Sequence, residues 1–144
     1  MRTRPPRQRS SRAYHVDHRW IAAAHEASHY VAYHVNGGQN LAATIRPTAT
    51  GGWRGGVTGD IEDDDFIDAV CTLAGAIGAR LLTGYPGLDG SNDLTEAARM
   101  ARRSGRGLRA ARGEAQRLVR TNQTAIARAA ARLYRDRHIG GGAG

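Results

Sequence analysis

Apolar residues recur every three or four positions between residues 17 and 36, at Trp20, Ala24, Ala27, Val31 and Val35. That spacing keeps them on one face of an α-helix. Asp17 is a suitable N-cap, and Gly37-Gly38 stop the helix. The pattern then changes. "LAATIRP" (41–47) is short and β-prone, "TATGGWRGG" (48–56) is rich in turn formers, and "WRGGVTG" returns as a second strand. A short, irregular β-hairpin is expected. Acids at 60–65 precede Phe66, Val70, Leu73, Ile77 and Leu81, which again fall at helical spacing, so a second helix is expected up to Gly84. "GYPGLDGSND" (84–93) reads as a loop. Leu94, Ala97, Ala98 and Ala101 mark a third helix broken by "SGRG" at 104–107. Ala115, Leu118, Val119, Ile126, Ala129 and Leu133 mark a long last helix before "GGGAG". The expected fold is mainly α, with a small β-hairpin between the first helix and three further helices.

Length changes this picture little: 144 residues, 40% apolar, suit one domain with a modest core. The expected division is a disordered basic tail over 1–14, a folded domain over 15–139 and a flexible Gly-rich tail over 140–144. The net charge of +8 comes from 21 arginines and no lysine. Five arginines lie in the first twelve residues, and most of the rest follow helical spacing after residue 99, as on a solvated helix face. No nucleic-acid recognition motif accompanies them and aromatics are few, so nucleic acid is not an expected partner. Cys71 is the single cysteine, which excludes an internal disulfide and fits a cytoplasmic protein. No unbroken apolar run approaches the ~18 residues of a membrane span, and no apolar segment follows the basic start as in a secretory signal.

The chemistry lies in "AAAHEASHYV" (22–31), which holds His25-Glu26-x-x-His29. Residues four apart share a helix face, so both imidazoles can reach one metal ion. Glu26 lies beside the first of them, placed to act as a general acid/base on a water that the metal activates. This is the spacing used by zinc-dependent hydrolases. With four glutamates and six histidines in the chain, it arises by chance roughly once in 140 shuffled sequences of this composition. Catalytic zinc takes three protein ligands and keeps one open position. His18 lies on the same stripe but about 16 Å from His29 by helix rise, too far to share the ion. The third ligand must come from another element, and Asp89, Asp93 and the acids of 60–68 are the candidates. Asp93-Leu94-Thr95-Glu96 also reads as a helix-capping box.

"AAAHEASHYVAYHV", "LAATIRPTATGGWRGGVT", "TLAGAIGARLLTG" and "GSNDLTEAARMARR" together resemble successive blocks of the peptidase domain of FtsH-type AAA zinc metalloproteases. The resemblance covers about residues 21–139. It implies a helical zinc-peptidase domain, with Zn2+ held by His25, His29 and Asp93, Glu26 as the catalytic residue, and Ser91 free to cap the helix. It also implies protein or peptide substrates, allows a homo-oligomer, and allows an ATPase or adaptor acting in trans. The chain contains no G-x-x-x-x-G-K-[ST] loop, so the expected activity is ATP-independent hydrolysis of unfolded or extended segments. Ser28 stands where the family has glycine, and Ala79-Arg80 stand where it usually has an acidic pair. The alternative is a non-catalytic interaction module that keeps the fold and the metal.

Overall fold

The computed structural model describes residues 16–85 and 91–141. The basic tail, His15, Asp89 and the last three glycine-tail residues lie outside them. The first helix, α1, is His18–Val35, followed by β1 (Gln39–Pro47), β2 (Trp53–Asp60) and α2 (Asp65–Thr83). Then come α3 (Ser91–Ser104), α4 (Leu108–Thr121), α5 (Gln123–Asp136) and a short β3 (His138–Gly140). The described chain is mainly helical with a small three-stranded antiparallel sheet in the order β2-β1-β3.

Local chemistry sets the element ends. Asp17 caps α1, its carboxylate accepting from the Trp20 N–H at 3.0 Å. Asp64 caps α2 by accepting from the N–H groups of Phe66 and Ile67. Gly84 ends α2 in the left-handed conformation, at φ 80°, which costs glycine little.

α1 is central. Residues 21–28 are all buried, four of them alanines, so the helix has no solvated side over two turns. Small side chains let β1, α2 and α5 approach it closely. One core cluster joins α1, β1, α2, α5 and β3 through Ala27, Val31, Ile45, Cys71, Ile126, Leu133 and Ile139, among others. A second joins α2 to α3 and α4 through Val70, Leu73, Met100 and Ala115. α2 is shared by both. It is the one described helix long and apolar enough to cross a bilayer, although its acids, glycines and Arg80 break any continuous apolar run. Here 44% of its apolar window is buried within the protein.

Several expectations are corrected. The last helix is two helices. Asn122 leaves helical geometry at φ −111°, and its side-chain amide donates to the Leu118 carbonyl. Four helices therefore follow the hairpin rather than three. The hairpin gains a third strand, since Ala43 pairs with Ile139 and Thr44 with His138. Gly140 belongs to that strand, and Gly141 donates to the Leu41 carbonyl at 2.8 Å, so the chain is held past residue 139. Val35, Leu81 and Leu94, expected on buried stripes, are exposed.

Candidate metal centre

α1 turns His25 and His29 toward α2, one helical turn apart. Their rings meet edge to face with centroids 4.6 Å apart, and their Nε2 atoms are 3.0 Å apart. Asp93 is the third residue of α3. Its Oδ2 lies 3.1 Å from His25 Nε2 and 3.4 Å from His29 Nε2. Of the two readings left open for Asp93, capping residue or ligand, its place inside α3 facing the histidines matches the second. Glu96, the other half of that box, pairs instead with Arg99. Three of the other candidates have partners elsewhere: Asp64 caps α2, Asp65 pairs with Arg103, and Asp60 accepts from Asn40. His18 and His34 are exposed.

α2 orients the ligands from behind. The His29 Nδ1–H donates to the Cys71 carbonyl at 2.9 Å, because a carbonyl can only accept. In the neutral ring this leaves a lone pair on Nε2, aimed at the other two groups. Gly75, one turn further along α2, makes room for both rings. A Cβ there would lie 2.4 Å from His29 Nε2 and 3.0 Å from His25 Nε2. Sequence reasoning did not single out Gly75, although a glycine inside an apolar helix is itself a signal of close approach.

The donor set fits a metal ion. Bonds of ~2.1 Å at tetrahedral angles place ligand atoms roughly 3.4 Å apart. The observed edges are 3.0, 3.1 and 3.4 Å. His25 Nδ1 is also buried with no hydrogen-bond partner among the described residues. If Nδ1 carries the proton, three lone-pair atoms converge and need a cation. If Nε2 carries it, one N–H serves two acceptors and Nδ1 keeps a buried lone pair. His25, His29 and Asp93 can hold one metal ion with a position left open.

The electrostatics are those of a site built around positive charge. The two histidines, by hydrogen bonding, hold the Asp93 carboxyl far below its usual range. Burial opposes charge on His29, but Asp93, Glu26 and the Cys71 carbonyl outweigh it and raise its pKa. Glu26 is buried beside the histidines, and burial raises its pKa, with the two histidines acting in the opposite direction. No described residue hydrogen-bonds to its carboxylate. Burial pushes the Cys71 thiol up to about 12, so it stays an inert packing group.

β2 borders the site. A Cβ on Gly55 would lie 2.6 Å from Glu26 Cγ, so the backbone of this edge strand runs directly past the carboxylate side chain. Ser28 is fully buried and donates to the Ala24 carbonyl. It fits because residue 78 is glycine, where a Cβ would lie 1.9 Å from Ser28 Oγ. Ala79 is buried and Arg80 exposed.

A scan against protein-family models and a search of the curated proteins gave no match to this chain.

Proposed function

We propose that the protein is an ATP-independent zinc metallopeptidase of the FtsH-like kind, acting on extended or unfolded protein segments. The observation that carries this reading is the convergence of His25, His29 and Asp93 within 3.4 Å of one another, with Glu26 buried beside them. A nitrogen-nitrogen-carboxylate set suits Zn2+ among the common divalent ions. Zinc bound there would supply Lewis-acid polarisation of a water and of the substrate carbonyl.

The chain's own residues supply the rest. Cys71 fixes the His29 tautomer through its carbonyl, and Gly75 admits both rings. Glu26 takes the proton of the attacking water and delivers it to the departing amine. Its raised pKa brings it closer to the range in which one group can serve as base and then as acid. β2 is an exposed edge strand, and an extended peptide can pair with it as a further strand. Gly55 brings that strand's backbone against Glu26, so a peptide paired there is led past the site. A chain without a nucleotide-binding loop acts on segments that are already extended.

Glu26→Gln keeps size and polarity but cannot take a proton. The variant should fold, bind zinc as wild type does, and lose cleavage of unfolded casein by at least ~10²–10⁴-fold. Wild type that holds zinc and cleaves nothing in a broad peptide library would assign the protein to the non-catalytic alternative. Equal activity in wild type and Glu26→Gln would remove Glu26 from the mechanism.

A further inference from the structure

Four arginines lie near the Trp53 end of β2, Arg54 and Arg46 on one face of the sheet and Arg19 and Arg137 at the Trp53 ring on the other. Arg54 follows Trp53 in the strand and pairs in register with Arg46 of β1. Arg19, from the first turn of α1, places its guanidinium carbon 5.1 Å from the centre of the Trp53 ring and 4.6 Å from that of Tyr134. Arg137 places its own 5.1 Å from the Trp53 ring. None of the four has a carboxylate within ion-pair distance among the described residues.

The arrangement is locally unfavourable, which makes it informative. Like charges directly opposed on paired strands are destabilising. Arg137 sits at φ 65°, a left-handed conformation that is strained for a non-glycine residue. Arg19 Nε is buried with no hydrogen-bond partner among the described residues. These costs fall together at one end of the strand that passes Glu26.

Gly55 lies against Glu26, and Trp53 is two residues earlier, roughly 7 Å along an extended strand. A peptide paired with β2 and centred on Glu26 presents alternating side chains, two and three residues from the scissile bond, to the two faces that carry these arginines. We infer that the protein selects extended peptides carrying Asp or Glu at that distance from the cleaved bond. The inference rests on the peptidase reading above for its geometry. Guanidiniums lying over the Trp53 and Tyr134 rings occupy the faces that nucleic-acid bases would need for stacking, which favours an acidic peptide over a single-stranded oligonucleotide.

The test uses matched fluorescein-labelled peptides with Asp and Glu, or Asn and Gln, at the second and third positions on either side of the cleaved bond. Two readouts are taken: kcat/KM on zinc-loaded wild type, and equilibrium affinity for Glu26→Gln protein, which requires no cleavage. Acidic peptides placed toward Trp53 should be favoured about tenfold or more in both. Arg54→Glu and Arg137→Asn should each collapse the ratio. Arg128→Glu changes net charge as Arg54→Glu does but lies at an exposed position of α5, and should preserve it. An affinity preference with no cleavage by wild type upholds acidic-peptide selection along β2 while the peptidase reading fails. Cleavage with no acidic preference overturns the inference alone, as does a preference lost equally in Arg128→Glu. An oligodeoxythymidine that displaces the acidic peptide and binds more tightly than it also overturns the inference.

Discussion

Gly75 and His29 are in such close contact that a single added methyl group at residue 75 would lie 2.4 Å from the imidazole Cε1 and Nε2. The neighbour is a ring held on its other side by the Cys71 carbonyl, so it cannot swing away without losing that hydrogen bond. Gly75→Ala should therefore lower zinc affinity by about tenfold or more, the scale seen when groups that orient metal ligands are disturbed. Overpacking should also cost roughly 1–3 kcal/mol of stability. Competition with a chromophoric chelator and a thermal melt measure the two effects. Unchanged affinity would show that the rings tolerate displacement.

Gly78 and Ser28 make an analogous contact away from the metal ligands. Gly78→Ala should destabilise by about 1–3 kcal/mol through overpacking. Ser28→Gly opens the space but places a glycine mid-helix, at a cost of about 1 kcal/mol. The double variant should be more stable than the two single effects added together, with a coupling of about 1 kcal/mol or more. Additive denaturation midpoints would show that the contact relaxes freely.

Asp93→Ala removes the one proposed ligand, among the described residues, that does not come from α1. Zinc per chain, measured after purification without added metal, should fall from near one to a small fraction. Full zinc content in that variant would point to a ligand outside the described residues, with Asp89 the nearest in sequence.

Glu26 gives a prediction about stability and pH. Its pKa is raised in the folded protein, chiefly by burial, so its ionisation opposes folding. Its destabilising effect is absent below the unfolded value of 4.5 and grows as pH rises from there through the folded value. In metal-free protein, Glu26→Gln should therefore melt higher than wild type at pH 7, with the advantage vanishing near pH 4. Bound zinc supplies a compensating positive charge and should shrink the advantage. A Glu26→Gln protein that melts lower at pH 7 without metal would contradict this account.

The helix ends of α1 and α2 were legible because Asp17, Gly37 and Gly84 carry strong local signals. The break at Asn122 was not, because the apolar spacing of Leu118 and Ile126 runs through it undisturbed and the only cue is one asparagine. β3 is three residues long and owes its existence to pairing with β1, a tertiary contact that "HIG" cannot announce. Leu81 and Leu94 show the limit of periodicity, which names a face but not whether anything covers it. In the candidate site, His25, Glu26 and His29 were legible because one helix carries them at fixed spacing. Asp93 was one of several acids by spacing alone. Resemblance singled it out, and the fold brings it to the histidines.

Asp93 is 68 residues from His25 along the chain, and α2, which lies between them in sequence, belongs to both core clusters. A cation shared by these residues would be a cross-link as well as a reagent. By the chain-entropy account of a closed loop this long, such a tie is worth on the order of 4 kcal/mol against the unfolded chain. That is a large fraction of the stability of a small domain. Stripping the ion would then loosen the seating of α3 on α2 before any chemistry could be assayed. Metal supply would thus govern how much folded protein a cell keeps, as well as how fast each molecule works.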